Sequence, residues 1–316
     1  MELKNLPTDP FEARFSIQKE KYNAIAVDTI KYIQNEYQHK DLLYACIDFM
    51  NYDFIETSHF DFEEIERIWL FPTKETSAEL NESLYRIINA SYKAAYDNLR
   101  RALEILIIGS SFAQQNADVP QAQEWLNSEH EAPLFSRAIE SLLQDKRIKK
   151  LEQDTFWITQ LKNFYFDLSD IVHVRGEQYS RKTLQPAMYS FNGIAAPQLS
   201  LKNLHRALDT VILTTHHICT CVAITNPILL LGLPLEEKYG IDASMSGFFN
   251  ESQSILLWQL LIPDTKSFFE ELIKNDDEII SITKYVNNLP DITKQELDKQ
   301  IEDFKTFLDE IKKSRN

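Results

Sequence analysis

TSAELNESLYRIINASYKAAYDNLRRALEILIIG, residues 76–109, decides the fold class of this 316-residue chain. Leu80, Leu84, Ile87, Ile88, Ala95, Leu99, Leu103 and Leu106 recur at the three-to-four-residue spacing that lines one face of an α-helix. Thr76-Ser77-Ala78-Glu79 fits a capping box, in which a hydroxyl and a carboxylate satisfy the free amides of a first turn. The pattern predicts a single helix running to Gly109, roughly 45 Å long at about 1.5 Å per residue. Pro72 is expected to end the section before it.

The same periodicity extends in both directions. A first helix is expected from Phe11 to about Gln38, followed by short helices and irregular packing over 39–75. Two short pieces around AQEWL and LFSRAIESLL lead to a second long helix, Leu151 to His173, with Leu161, Phe164, Leu168 and Ile171 or Val172 inward and Gly176 as its stop. Residues 177–199 read as a loop. Ser200 then caps a third long helix through Leu204, Leu208, Val211, Ile212 and Ile218, with a turn at Asn226-Pro227. A helix around ILLWQLL precedes two acidic amphipathic helices separated at Asn287-Asn288-Leu289-Pro290. The last, Thr293 to Lys313, carries Leu297, Ile301, Phe304, Phe307 or Leu308, and Ile311 near coiled-coil spacing, which implies a partner helix. With only 6 glycines to make turns, the chain should be all-α, a helical bundle. Its sections are 1–75, an N-terminal helical section; 76–240, a central bundle; and 241–316, an acidic C-terminal extension.

Charge narrows the partners. A net charge of −15 and a pI near 5.0 repel bulk duplex DNA and anionic membranes, so RNA or a nucleotide is expected only in a local pocket of Arg and Lys. The three cysteines form no disulfide framework and no apolar leader opens the chain, so a cytoplasmic setting is expected. Thr210–Leu235 holds no charged residue and is long enough to span a bilayer. His216, His217, its threonines, Asn226 and two prolines favour a buried core helix instead, and no membrane association is expected. His216, His217, Cys219 and Cys221 have spacings that suit two metal ligands, but no third ligand is indicated. Core packing is the expectation, without metal or cofactor.

DLSDIVHVRG, residues 167–176, holds the first candidate site. Asp170 and Ser169 precede His173 by three and four residues, so all three share a helix face. The carboxylate and the helix C-terminus are expected to raise the histidine pKa towards neutrality, where general acid/base catalysis works best. Arg175 would supply the cation that a developing phosphorane needs. The alternative is a histidine that only caps the helix and pairs with Asp170. In SYKAAYDNLRRALE, residues 91–104, Arg100 and Glu104 stand four apart with Arg101 beside them. Ala90, Ser91, Ala94 and Ala95 would let another helix approach closely and leave Arg100 facing the interface. A plain solvated face is the alternative.

Ala95-Tyr96, Leu99-Arg100, Leu103-Glu104, then Leu168-Ser169, Val172-His173 and Gly176 together resemble the HEPN superfamily (higher eukaryotes and prokaryotes nucleotide-binding). That family comprises all-α bundles and includes metal-independent ribonucleases of toxin–antitoxin and phage-defence systems. The resemblance spans about residues 78–176 and implies a HEPN-like core. His173 would take the proton from a ribose 2′-hydroxyl, with Asp170 beside it. Arg175 and Arg100 would stabilise the phosphorane, and Arg101, Glu104 and Ser169 would line the binding surface. Sites of this family usually form where two bundles meet, which implies a homodimer. Its active ribonucleases carry an arginine separated from the histidine by four to six residues, and positions 166–168 here are Phe-Asp-Leu. That departure supports the second expectation, a non-catalytic interaction or sensor protein that binds a protein partner.

Overall fold

Among the residues described by the computed structural model (10–54, 64–113, 119–173, 199–245 and 248–314), every regular element is helical and none is a strand. The all-α expectation holds. Nine helices precede the apolar stretch or contain it: α1 (Pro10–Asn35), α2 (Lys40–Asp48), α3 (Glu64–Ile88), α4 (Tyr92–Phe112), α5 (Val119–Leu126), α6 (Phe135–Leu142), α7 (Lys146–Thr155), α8 (Trp157–Val172) and α9 (Leu201–Thr225). Five follow: α10 (Leu235–Tyr239), α11 (Glu251–Leu260), α12 (Lys266–Asn275), α13 (Asp277–Asn287) and α14 (Lys294–Ser314).

The helices form two compact units, each assembled from three stretches of chain. The first takes residues 1–47, 75–105 and 158–215; the second takes 48–74, 106–157 and 216–316. In the first, the predicted stripe is buried at Leu80, Ile87, Ala95, Leu99 and Leu103, with Leu161, Leu168, Leu204, Leu208 and Val211 buried as well. Each such side chain contributes about 1.5–3 kcal/mol by leaving water. In the second unit Phe249, Leu257, Leu260 and Phe269 are buried, and Leu233, Leu235, Ala243 and Val286 form a smaller cluster beneath Tyr239 and Ile282.

Several boundaries differ from the sequence expectation. Residues 76–109 are not one helix. Ala90, at φ 55°, breaks them into α3 and α4, and the amide of Ser91 closes the turn on Arg86 O at 2.8 Å. Ala90 is therefore a turn residue and Ala94 is exposed, so the stripe of small residues does not form a continuous face. Nor does Pro72 end a section: α3 runs through it. Its ring packs on Gly109 of α4, where an added Cβ would lie 2.3 Å from Pro72 Cγ, so Gly109 is a crossing point and not a stop. Thr76, expected to cap, lies inside α3, and its hydroxyl donates to Ala102 O at 3.3 Å.

Phe156, at φ 57°, divides the second predicted long helix into α7 and α8. Asp276 divides α12 from α13 by accepting the amides of Glu278 and Ile279, while Arg147 of α7 holds both its carboxylate oxygens at 2.8 and 3.0 Å. Gly176 and residues 177–198 of the expected loop lie outside the described residues. Ser200 does cap α9, its hydroxyl accepting Asn203 N at 3.4 Å, and α9 ends before Asn226 as expected. Among the described residues one helix, α9, is long and apolar enough to cross a membrane, and 78% of its most apolar stretch is buried inside the protein.

Candidate functional site

The two motif-bearing helices, α4 and α8, meet in the first unit. Arg100 Nη1 donates to Tyr165 Oη on α8 at 3.1 Å and pairs with Glu104 Oε2 at 3.2 Å, while its guanidinium carbon lies 5.9 Å from the Tyr165 ring centroid. Only 18% of the Arg100 side chain is exposed. Burial and the Glu104 carboxylate push the Tyr165 phenol up, and Arg100 partly offsets them. Arg101 is engaged too. Its Nε and Nη2 grip both oxygens of Glu79 on α3 at 3.0 Å, its Nη1 reaches Asp97 at 2.9 Å, and Asn98 donates to the same Glu79. The hydrogen bonds it donates to Glu79 are the main reason the guanidinium pKa lies above its ordinary value. Both arginines brace helices, Arg101 with all three nitrogens and Arg100 through Nη1, its buried Nε making no hydrogen bond.

His173 stands exposed just beyond α8, its main-chain amide donating to Ser169 O at 2.8 Å. Ser169 turns its hydroxyl back onto Tyr165 O at 2.9 Å. Tyr165, the anchor of Arg100, precedes His173 by eight residues, about 12 Å of helix. The structure thus brings Arg100, Arg101 and Glu104 together with α3 and α8, but does not bring Arg100 to His173. Arg175 lies outside the described residues.

A second constellation in the same unit was missed in the sequence. Asp209 of α9 accepts Tyr37 Oη at 2.6 Å on one oxygen and meets His205 Nδ1 at 2.9 Å on the other. The rings of Tyr37, His39 and His205 form an edge-on triangle with centroid distances of 5.9, 5.3 and 6.4 Å. Tyr37 is buried, and burial first, then the Asp209 hydrogen bond, raises its phenol pKa far above the ordinary value. With Asp209 accepting, His205 carries its proton on Nδ1, and Nε2 is left as the atom free for exchange. Tyr96 of α4 is buried nearby; burial pushes its phenol up, opposed in part by a hydrogen bond with Thr210 and then by the Arg206 cation. The His205-x3-Asp209 spacing was visible in the sequence by the rule applied to Ser169 and His173. Tyr37, 172 residues away, carried no such signal.

The His/Cys group of α9 is packed into the second unit. His216 Nδ1 meets Leu260 O at 2.6 Å, Cys221 Sγ lies 3.4 Å from Ser110 Oγ, and burial pushes the His217 pKa down to about 3. Among the described residues no three His, Cys, Asp or Glu side chains gather as a metal set. A shallow cavity of about 570 Å³ lined by Pro120, Glu124 and His130 lies far in sequence from both constellations. Comparison with protein-family models, with curated proteins and with solved structures found no match to this chain.

Proposed function

We propose that this chain works by association, as a helical interaction protein that pairs with a second copy of itself through the C-terminal half of α14. The observation that carries the reading is the split character of that helix. Its first half is held on the second unit: Gln300 donates to Tyr239 O at 3.0 Å and accepts from Ile241 N at 3.1 Å. Gly240 allows that approach, since a Cβ there would meet Gln300 and Ile292 at 2.5 and 2.8 Å. Beyond it Phe304, Phe307 and Leu308 are 48, 55 and 38% exposed, although they continue the apolar spacing of Leu297 and Ile301. Large apolar side chains grouped in this way mark a surface that another chain covers.

The charges choose the occupant and its direction. Residues 294–303 carry Lys294 and Lys299 against Glu296, Asp298, Glu302 and Asp303, while 304–314 carry Lys305, Lys312 and Lys313 against Asp309 and Glu310. An antiparallel second copy sets the acidic half of each helix against the basic half of the other and opposes their dipoles. The occupation of Arg100 and Arg101 by internal partners supports binding over cleavage. Three buried free cysteines suit a reducing cytoplasm. Light scattering tests the reading. The parent should be a dimer at micromolar concentration, and Phe304→Lys combined with Leu308→Lys should be a monomer of unchanged helicity. A monomeric parent overturns it.

A second reading, metal-independent acid/base chemistry on RNA or a nucleotide, is favoured by the exposure of His173 on a helix tied through Tyr165 to the motif arginine. It requires His173→Ala to abolish RNA cleavage without moving the melting temperature; cleavage equal to the parent removes it.

A further inference from the structure

Lys202, His205, Arg206 and Asp209 stand at i, i+3, i+4 and i+7 on α9 and so share one face. Tyr37 and His39, at the turn after α1, close one side of that face through the ring triangle and the Tyr37–Asp209 hydrogen bond. Asp209 spends its two oxygens on Tyr37 and His205, which compensates its charge. The cations are not compensated. Among the described residues neither the Lys202 nor the Arg206 side chain makes a hydrogen bond or ion pair, although Arg206 is half-buried and a guanidinium carries five donors. Beside them the fully buried Tyr96 hydroxyl meets Thr210 first and Arg206 second. A half-buried guanidinium with none of its donors spent marks a place where an acceptor is missing.

We propose that this face of α9 is a binding site for a phosphate monoester. Arg206 supplies the planar fork that matches phosphate oxygens, and Lys202 adds a point charge one turn nearer the positive end of the helix. His205, oriented by Asp209, presents Nε2–H when protonated, and His39 offers a second imidazole about one phosphate width away, its ring centroid 6.4 Å from that of His205. The acids on the same turn, Glu36 and Asp41, are both exposed, and Lys40 beside them bonds Gln34 O at 3.1 Å. A strongly acidic protein has little reason to keep two unpaired cations, two imidazoles and a buried phenol on one face except to hold an anion. The site lies wholly in the first unit and is independent of the α14 pairing.

Calorimetric titration of the full chain with glycerol 3-phosphate and with a phosphoserine peptide tests it, with glycerol and the unphosphorylated peptide as controls. Saturable binding of a phosphorylated probe alone is expected. Arg206→Ala should weaken it by about tenfold or more, the loss of a charge-assisted pair. His39→Gln, at an exposed ring, should weaken it less, and both variants should melt as the parent does. Preference for glycerol 3-phosphate assigns the site to small metabolites, and preference for the peptide assigns it to phosphorylated side chains. Absence of saturable binding by either probe overturns the proposal, as does binding that both variants retain at parental strength.

Discussion

Replacing Gly109 with alanine opposes two effects of known size, and the structure decides between them. Gly109 lies inside α4, where glycine costs about 1 kcal/mol relative to alanine, so propensity alone predicts that Gly109→Ala stabilises. The new Cβ would sit 2.3 and 2.4 Å from Pro72 Cγ and Cβ, against about 3.5–4.0 Å for an unstrained carbon contact. The overlap exceeds an ångström, and a proline ring fused to the backbone of α3 cannot rotate away. Opening the crossing costs about 3 kcal/mol, the upper end for an overpacked core, for a net loss of about 2 kcal/mol. With about 2.1 cal/mol/K of unfolding entropy per residue, the melting temperature should fall by ~3 °C. Thermal and urea unfolding measure it directly. In a Pro72→Gly background the same alanine should be neutral or stabilising, because the ring is gone. A Gly109→Ala protein as stable as the parent, or equally damaged in both backgrounds, refutes the crossing argument.

Acid should unfold the protein through α9. Burial lowers the pKa of His216 and drives that of His217 to about 3, so both are neutral in the fold and charged in the unfolded chain below about pH 6.5. Their contribution is present above that pH and is lost as the pH falls towards 3, with a slope on the order of 1.4 kcal/mol per unit from His217 alone; urea unfolding between about pH 7 and 5 should show it, and His217→Asn should flatten it. Arg101→Lys should cost about 0.5–1 kcal/mol, because lysine cannot grip Glu79 with two donors and the pair is partly exposed. A double-mutant cycle with Glu79→Gln should recover that coupling, and a coupling near zero would mean the pair does not brace α3 on α4.

Helical periodicity was legible because apolar spacing is a local property. The stripe from Leu80 to Leu103 is buried as the spacing demands, and Asn226-Pro227 ends α9 where a proline should. The breaks were hidden because they are tertiary. Alanine is the strongest helix former, and only packing around the turn holds Ala90 at a positive φ; the same is true of Phe156. Pro72 reads as a terminator until Gly109 is known to receive its ring. The candidate sites divide along the same line. The Arg100–Glu104 pair and the His205–Asp209 pair are each one helical turn apart, within reach of sequence reasoning. The Tyr165 that occupies Arg100 and the Tyr37 that anchors Asp209 come from other helices, and no spacing rule announces them.

The interleaving of the two units constrains how the chain can be made and cut. The first unit is incomplete until residue 215 is synthesised, and the second until the chain has run on through α14. A nascent chain therefore carries the exposed apolar stripes of α3 and α4 through most of translation with no finished unit to bury them. No premature stop upstream of residue 215 leaves either unit whole, and no single protease cut separates the two, because a fragment that holds all of the first still carries pieces of the second. Deletion series that cut upstream of residue 215 should yield insoluble chains instead of working halves, and variants are better made as substitutions in the whole 316-residue chain.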